Sequence, residues 1–502
     1  MYTQGTKPNM KTLKRTTAPS HRMLKGMASA AVMLTVAACD GGSTFSTIES
    51  DLANGEDVNI NLSPEANGDV VVSLTDGPGD GGGAAPPARN VDVVGAMYAL
   101  TNQHDLSQQI SAADDAPSEP FRVNQVVAYS RGTDGSLVQI GVYDTGGVGE
   151  NIRNSGANPL ASQDPLIVSK DQRFVFAVNA GSESISSFVI NQDDYSLTPA
   201  DLNVSTSGAS GAQNPVSLTI FEDILYVVNT GNFVDDAGNE LDTLPQDRNR
   251  VNASILGFRV GDDGSLTEIA NSEITGVGAN AGSIEFSSDG QNLYVTERRT
   301  NEIVTLSVGG DGVATLTNSL TSITEQPFGT DLYSADIGDI LLVSEGNNGA
   351  PGLSALSSYL VEDDGSLTGI SLSSGVEGDP LTTGFTFGCW VEFVETPNGD
   401  FAYVSNTPDG VITSFAVGDQ GGLTRLESEA ATAGIGGDPT QNGGGVLDAE
   451  IAFPYLYQVV NNDSRIAQYF INSEGGLDRQ WGLEIQDTEL FLPRMFVGIA
   501  GF

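Results

Sequence analysis

The stretch Gly-Phe-Arg-Val-Gly-Asp-Asp-Gly-Ser-Leu-Thr-Glu-Ile at residues 257–269 recurs, lightly altered, as Ser-Tyr-Leu-Val-Glu-Asp-Asp-Gly-Ser-Leu-Thr-Gly-Ile at residues 358–370. In both copies an alternating apolar and polar segment runs into Asp-Asp-Gly-Ser, and a second alternating segment follows. Asp-Gly pairs favour tight hairpin turns because Gly, and to a smaller extent Asp, tolerates positive φ. Each copy therefore predicts a β-hairpin.

Two markers of this hairpin recur along the chain. One is a Leu directly after the turn, found at Leu137, Leu197, Leu266, Leu316, Leu367, Leu423 and Leu477. The other is an apolar strand ahead of the turn that ends in Asn or Glu, at Asn102, Asn179, Asn229, Glu297, Glu345, Asn406 and Asn461. The markers interleave seven times at intervals of 50 to 69 residues. A period of this length with about four short strands per unit is typical of a β-propeller.

One complete unit shows how four strands fit into the period. We predict strand a at 283–286, strand b at 292–296, strand c at 302–308 and strand d at 314–318. A β-sandwich with similar turns is the alternative. Seven copies in phase favour an all-β fold, a seven-bladed β-propeller of four-stranded antiparallel blades over residues 90–502.

The N-terminal residues differ from the repeats. Six Lys and Arg residues precede an apolar stretch at 27–38, which is too short for a stable membrane span and predicts a secretory signal over residues 1–38. The stretch ends in Val-Ala-Ala-Cys and resembles the bacterial lipobox, which implies lipidation of Cys39. Asp40 resembles an inner-membrane retention signal, which leaves inner and outer membrane open. We expect a membrane-anchored lipoprotein of the cell envelope that faces the periplasm or the cell exterior.

A segment rich in Gly, Pro, Asp, Ser and Asn follows the lipobox. It extends over residues 39–89 and predicts a flexible tether. Within it, residues 58–62 and 70–74 alternate weakly, which predicts a local pairing of two short strands.

The charge of the chain excludes several partners. The net charge is −44, and removal of residues 1–38 leaves 15 Lys and Arg against 65 Asp and Glu. Nucleic acid and anionic membrane surfaces are therefore excluded as partners by repulsion. The acidity has two interpretations, which are solubility or a saline habitat on one side and cation binding on the other.

Cysteine and histidine counts exclude further classes of site. Beyond Cys39 the chain has Cys389 as its one cysteine and, after the signal, His104 as its one histidine. An intrachain disulfide, a His-rich zinc site and a bis-His haem are thereby excluded. No Gly-x-Ser-x-Gly elbow and no phosphate-binding loop ahead of a helix is present.

Long insertions favour one face of the propeller. In a four-stranded blade the b–c loops and d–a links share a face, and these hold every large insertion, whereas the a–b and c–d turns are short. Long loops on a rigid scaffold commonly carry function. The acidic loop at 235–242 is a weak candidate for calcium binding, and a solvated insertion is the alternative.

Strand a lines the central channel, and four consecutive blades place an acid in it. These acids are Glu285, Asp331, Glu392 and Glu450. Carboxylates that converge on an axis repel one another unless a cation, an Arg or protons intervene. We predict a channel cation site for calcium, a cation that prefers several oxygen ligands. The alternative is that each acid pairs with an Arg or reaches channel water, with Arg131, Arg298 and Arg299 as the candidates for pairing.

The strand ends, the Asp-Gly-Ser-Leu-Thr turns and the phrase Phe-Ser-Ser-Asp-Gly-Gln-Asn-Leu-Tyr-Val at 286–295 together resemble the lactonase-like seven-bladed propellers. That family includes the propeller-type 6-phosphogluconolactonases, the carboxymuconate-cyclizing enzymes and the Tyr-Val-Thr-Asn surface repeats. The resemblance implies a blade 1 whose inner strand comes from residues 494–502. The lactonases carry Pro-Arg-His and Asn-Glu where this chain has Ala281-Gly282-Ser283 and Thr296-Glu297.

Two functions compete on these residues. The first is a lactone hydrolase or cycloisomerase at the long-loop face, in which Glu285, Glu297 or Glu392 is the base and Arg298, Arg299 or Arg131 holds an acidic substrate. The second, which we favour, is a monomeric binding module for an envelope protein or glycan, with the apolar loop 385–390 as a candidate contact.

Overall fold

A computed structural model describes residues 58–64, 70–76, 91–103, 123–150, 160–234, 249–251, 253–376, 378–432, 445–460, 465–480, 485–486 and 496–502. The chain divides into two units, residues 1–90 and 91–502. In the first unit Val58–Pro64 pairs with Val70–Asp76 in antiparallel register, as the alternation predicted. The signal, Cys39, His104 and the 235–242 loop lie outside the described residues.

The second unit is a seven-bladed β-propeller in which each blade has four antiparallel strands, which confirms the predicted fold. In the order a, b, c, d, the strands are Phe496–Gly501, Val93–Thr101, Gln125–Gly132 and Leu137–Asp144 in blade 1; Leu166–Val168, Phe174–Asn179, Ser184–Ile190 and Leu197–Ser205 in blade 2; Pro215–Phe221, Ile224–Asn229, Ser254–Val260 and Leu266–Glu268 in blade 3; Ala281–Phe286, Asn292–Glu297, Glu302–Val308 and Ala314–Thr321 in blade 4; Pro327–Ala335, Gly338–Glu345, Ala355–Val361 and Leu367–Ser371 in blade 5; Gly388–Thr396, Gly399–Asn406, Val411–Val417 and Leu423–Thr432 in blade 6; and Val446–Ala452, Tyr455–Val460, Arg465–Ile471 and Leu477–Arg479 in blade 7.

Short elements decorate this framework. Ile274–Thr275 and Ile485–Gln486 add a fifth strand to blades 3 and 7, and Asn232–Val234 pairs with Asn249–Val251 in the b–c insertion of blade 3. Single 3-10 turns follow strand b in blades 2 and 5, at Ala180–Ser182 and Asn347–Gly349. None of the described residues forms a helix of the length and apolarity that a membrane span requires.

The ring closes with strands from both ends of the unit. Phe496–Gly501 pairs with Val93–Thr101, and Tyr98 lies opposite Ala500. The inner strand of blade 1 is thus supplied by residues near the C-terminal end, as the family resemblance implied.

The Leu marker begins strand d and packs between blades, except in blade 4. The first residue of strand d is a buried Leu in the other six blades. In blade 4, Ala314 takes this position opposite Val308, and Leu316 is 53% exposed. The marker assigned to Leu316 was therefore wrong by two residues, because the turn at Asp311 is followed by Val-Ala instead of Ser-Leu.

The Asp-Gly-Ser turns join neighbouring blades. The hydroxyl of the strand b Tyr donates to a carbonyl in the c–d turn of the next blade, as in Tyr226 to Gly312 at 2.7 Å, Tyr294 to Gly365 at 3.2 Å and Tyr457 to Gly135 at 2.8 Å. Within the turn, the Asp carboxylate accepts from the Ser two residues later, which lowers the pKa of Asp263 and Asp364. These Asp residues therefore serve turn geometry.

Candidate functional site

Along the inner strands, residues change from buried to partly solvent-exposed at the position of the channel acids. In blades 5, 6 and 7 the first four residues of strand a are buried and the next two are half-buried. The half-buried pair begins with the acid in each case. Since an inner strand touches protein on every side except the channel, its exposed surface faces the channel. The acids therefore lie where the solvent-filled part of the channel begins.

Six of the described carboxylates interact electrostatically in this region. They are Asp164, Glu285, Asp331, Glu392, Asp448 and Glu450. Burial is the main cause that raises their pKa values, and neighbouring carboxylates add to it for most of them. The pKa reaches about 8 for Asp164 and Glu450 and about 7 for Asp331, and it lies well above the usual range for the other three.

Several of these acids cap the open edge of the neighbouring inner strand. Asp331 accepts from the backbone N–H of Phe393 at 2.6 Å, and Glu450 accepts from that of Gly501 at 3.2 Å. In blade 3, Ser217 fills the same role toward Ile284 at 3.2 Å. The channel edge of strand a carries N–H groups with no partner strand, so these side chains satisfy donors that would otherwise be buried unpaired.

Other carboxylate oxygens in this region lack such partners. Glu392 accepts no hydrogen bond from any described residue, and Glu285 has only the backbone N–H of Phe286 nearby. Asp448 is 1% exposed; its Oδ2 accepts from the N–H of Ile499 at 3.1 Å, and the backbone N–H of Asp164 also lowers the pKa of this carboxyl. Its Oδ1 accepts no hydrogen bond within standard geometry from any described residue. These oxygens are free to accept from a ligand.

The candidate arginines lie elsewhere. Arg131 donates to the main-chain oxygen of Phe502 at 3.0 Å, and Arg299 is exposed. Arg298 donates to Asn280 and lies 5.0 Å from the ring centre of Phe328, with its pKa lowered to about 10 by burial. No described basic side chain forms an ion pair with the six channel carboxylates or lowers their pKa values.

Residues 160–164 plug the channel at the long-loop end. This segment leads into strand a of blade 2, yet Gln163 crosses the axis. Its side-chain amide donates to the carbonyls of Thr330 at 2.8 Å and Val391 at 3.0 Å, and its oxygen accepts from the N–H of Val391. Its own N–H donates to the carbonyl of Gly282 at 2.8 Å. One segment of blade 2 thereby contacts blades 4, 5 and 6.

Further contacts fix the plug. The indole of Trp390 donates to the carbonyl of Ser162 at 2.8 Å, and Trp390 packs edge-on against Phe328. Ala161 and Asp164 both adopt positive φ, at 52° and 57°. Such backbone conformations are costly for residues other than Gly and persist where surrounding contacts impose them. The plug therefore has one defined conformation, and the acids lie at the floor of a well that opens on the short-turn face.

Glu297 belongs to a structural series at the end of strand b. Its Oε1 accepts from the N–H of Gly278 at 2.7 Å and its Oε2 from the hydroxyl of Thr300 at 2.8 Å. Asn229 and Glu345 accept in the same way from Thr206 and Ser322. The recurring Asn or Glu thus fastens the d–a link to its blade, and both oxygens of Glu297 are occupied.

The apolar loop at 385–390 contributes mainly to packing. Cys389 and Trp390 are buried, and Phe387 is half-buried with φ at 48°. The N–H of Thr386 donates to Asp409 at 2.7 Å. Much of the long-loop face, including residues 104–122 and 235–248, lies outside the described part of the chain. Docking of an envelope protein or glycan there stays a prediction.

Within the described residues, no three Asp, Glu, His or Cys side chains are placed to ligate one metal ion. Glu285, Asp331, Glu392 and Glu450 share the channel without forming such a group. Calcium binding therefore stays a prediction.

Sequence reasoning did not identify three residues of this region, Asp448, Asp164 and Gln163. Asp448 lies two residues before Glu450 on one strand, so the period of two in a strand could have placed both carboxylates on the same side. Asp164 and Gln163 belong to a link without periodicity, and nothing in their spacing indicates that they reach the axis.

Comparison with known proteins finds similarity at the level of the fold. No family model and no curated protein matches the sequence. The structure is similar to a candidate 6-phosphogluconolactonase from Bacteroides uniformis, at 17% identity over 81% of this chain and 99% of that chain, with a TM-score of 0.51. The chain therefore shares the seven-bladed propeller fold of that structure.

Two further solved structures share this fold. One is a candidate 6-phosphogluconolactonase from Bacteroides fragilis, with 16% identity, 81% and 98% coverage of the two chains and a TM-score of 0.51. The other is a protein from Lactobacillus plantarum, with 14% identity, 82% and 100% coverage and a TM-score of 0.53. Likeness at these identities shows the fold and leaves the activity open.

Proposed function

We propose that this lactonase-like propeller is a non-hydrolytic binding protein of the cell envelope, and that the carboxylate well in its channel binds a cation. The observation that carries the proposal is the group of six channel carboxylates, for which the described residues supply no basic partner. Such a group is protonated or neutralised by a bound cation, since partial burial and mutual repulsion both oppose ionisation of every carboxyl in it.

The surroundings of the well favour cations over anions. The short a–b turns that border its mouth carry exposed acids, among them Asp171 and Asp289. Clefts lined by one sign of charge concentrate the opposite ion. An anionic lactone, such as one bearing a phosphate, would be repelled by the same field. Arg298, the candidate for holding an acidic substrate, lies against Phe328 in the buried half of strand a.

Lactone hydrolysis is the second candidate, and one observation favours it. Burial raises the pKa of Glu392 well above its usual range, which is the property required of a carboxyl that exchanges protons near neutral pH. A neutral lactone would escape the repulsion described above. Glu285 or Glu392 would then be the base.

Calorimetric titration with calcium chloride and with methylammonium chloride tests cation binding. We expect at least one of them to bind the intact protein and to bind the Glu285→Gln/Glu392→Gln variant about tenfold or more weakly, because two charge-assisted contacts are lost. Glu427→Gln, an exposed acid on the outer strand of blade 6, is the control and should bind as the unchanged protein does. Absence of binding by both cations would contradict the proposal.

Turnover of a panel of neutral and anionic lactones separates the two candidates. The proposal predicts no hydrolysis above the uncatalysed rate. Hydrolysis that Glu392→Gln abolishes and Glu427→Gln leaves intact would establish the enzyme instead.

Membrane attachment through Cys39 is a separate part of the proposal. The lipobox-like sequence supports it. Cys39→Ser should move the protein from the membrane fraction to the soluble fraction of the cell, and persistence in the membrane fraction would contradict lipid anchoring.

A further inference from the structure

The carboxylate well has apolar walls between its floor and its mouth. Half-buried apolar side chains follow the acids of blades 5, 6 and 7 toward the short-turn face, at Leu332, Phe393 and Ile451. Val168, Ile220 and Phe502 are half-buried apolar residues toward the same end of the inner strands of blades 2, 3 and 1. The distance from Glu450 to the turn at Phe453 is three residues, or roughly 10 Å at the rise of a strand. The floor is charged and the wall above it is apolar.

The rim of the well continues this apolar surface. Phe453 and Ile337 occupy the a–b turns of blades 7 and 5, which are the innermost turns on the short-turn face. They are 45% and 41% exposed. An apolar body that entered the well from this face would bury its surface against the rim and wall, and burial of apolar surface is favourable.

The floor offers acceptors to a donor that enters from above. The buried Oδ1 of Asp448 accepts no hydrogen bond within standard geometry from any described residue, and Glu392 accepts no described hydrogen bond. An ammonium group presents up to three N–H donors and one positive charge. The acids are not gathered as a metal-ligating group, and a strongly hydrated ion would gain nothing from the apolar wall.

We propose that the well binds an organic ammonium with an apolar stem, which enters from the short-turn face and places its head on the floor carboxylates. The inference rests on the proposed cation-binding function and specifies its ligand class. Entry from the opposite end is closed by Gln163 and its bonds to Thr330 and Val391. The chemistry expected of the ligand is that of an alkylamine or an amine-bearing amphiphile.

Calorimetry with a series of n-alkylammonium chlorides, from ethyl to hexyl, tests the stem. Each added methylene should tighten binding by up to about fourfold as it is buried against the wall. n-Hexanoate and n-hexanol, which carry the same stem without the positive charge, should bind much more weakly. Equal affinity along the series, or equal binding of hexanoate, would overturn the inference.

A wall variant tests the location. Ile451→Thr keeps the branch at Cβ of a half-buried wall residue, shortens the side chain by one carbon and makes it polar, so it should weaken hexylammonium by about threefold or more and leave methylammonium and calcium unchanged. Leu426→Thr, on an exposed position of the outer strand of blade 6, is the control and should change neither. Equal loss for every cation, or no loss for hexylammonium, would overturn the assigned wall.

The outcomes separate this inference from the proposed function. If calcium or methylammonium binds in the well and stem length has no effect, the ligand class is refuted and cation binding stands. If no cation binds and a lactone is hydrolysed in a Glu392-dependent manner, both fail.

Discussion

Glu392 shows how the channel raises the pKa of a single carboxyl. It has no described hydrogen bond, and the pKa of its carboxyl is raised by burial first and by Glu450, Asp331, Asp164 and Asp448 after that. Its neighbour along the ring, Asp331, is held by the N–H of Phe393 instead. The two acids occupy equivalent positions in adjacent blades, so a sequence pattern alone cannot distinguish the capped acid from the free one.

Replacement of Glu392 should stabilise the protein at high pH. Its folded-state pKa lies above its unfolded-state value, so the folded protein holds a proton that the unfolded chain releases as pH rises. The free-energy cost of a raised pKa at Glu392 is absent at acid pH, where the carboxyl is protonated in both states. It grows as the pH rises above the unfolded-state pKa. In the absence of added cations, Glu392→Gln should raise the free energy of unfolding increasingly as the pH rises above about 4.5, by no more than about 1.4 kcal/mol per pH unit.

Urea denaturation across this pH range checks the prediction. Glu427→Gln should follow the unchanged protein within about 0.5 kcal/mol at every pH, as exposed substitutions generally do. A stabilisation by Glu392→Gln that is independent of pH, or a destabilisation that grows with pH, would contradict the raised pKa.

The buried hydroxyl of Tyr226 offers a second test at the residue scale. It donates to the carbonyl of Gly312 and accepts from the N–H of Ala314 at 2.9 Å, so it joins blade 3 to the turn of blade 4. Tyr226→Phe should lower the free energy of unfolding by about 1–3 kcal/mol, since both partners are left unpaired. Tyr403 is also a buried strand b Tyr, but its hydroxyl has no partner in the described structure. Tyr403→Phe should therefore change the free energy of unfolding little. Equal decreases in that free energy for the two variants in urea denaturation would contradict the role of the Tyr226 hydroxyl in joining the blades.

At the scale of elements, the plug decides which end of the channel is open. The sequence showed a long d–a link between blades 1 and 2, and the long insertions favoured the long-loop face as the face that carries function. The structure places part of that link inside the channel and leaves the acids to be reached from the other end. The length of a link predicts that extra residues are present, but not whether they turn into the channel or away from it. That choice depends on contacts with blades 4, 5 and 6, which lie far away in sequence.

Gln163→Ala tests the plug. The substitution removes three side-chain hydrogen bonds to buried main-chain groups of Thr330 and Val391. It should lower the free energy of unfolding by about 2–4 kcal/mol, measured by urea denaturation. Gln192→Ala removes exposed bonds of the same type and should cost less than about 0.5 kcal/mol. Comparable losses for the two variants would show that Gln163 does not anchor the plug.

The repeats were predictable because hairpin chemistry is local. Asp-Gly-Ser fixes a turn from its own residues, and alternation fixes which side of each strand is buried. These rules recovered strand a of blade 4 as 283–286 within the observed Ala281–Phe286. They failed at Leu316, where a Val follows the turn in place of Ser and the buried position passes to Ala314.

At the scale of the whole molecule, the ring depends on strand Phe496–Gly501. Phe496, Val497 and Ile499 are buried there, and the strand completes blade 1. Ile499→Ala should lower the free energy of unfolding by about 2–5 kcal/mol, as large-to-small changes in cores do. Val142→Ala, on an exposed position of the outer strand of the same blade, should cost less than about 1 kcal/mol. Urea denaturation of the two variants checks closure, and a small loss for Ile499→Ala would contradict it.

Charge is the other property of the whole molecule, and composition alone predicts its consequences for partners. The excess of Asp and Glu predicts repulsion of anionic partners, and the strand a pattern identifies four of the six channel carboxylates. The sequence does not predict how the acids are divided between capping strand edges and facing the well, because that division follows from the packing of adjacent blades.

Proton release on cation binding tests the central claim most directly. If the ligand neutralises carboxyls whose pKa values are raised, these carboxyls must lose protons as the cation binds. Calorimetric titration of n-hexylammonium or calcium at about pH 7, in two buffers that differ in ionisation enthalpy, measures that release. We predict net proton release for the intact protein and a clear reduction for Glu285→Gln/Glu392→Gln. Binding without proton release, or the same release from the double variant, would contradict a cation site at the carboxylate floor.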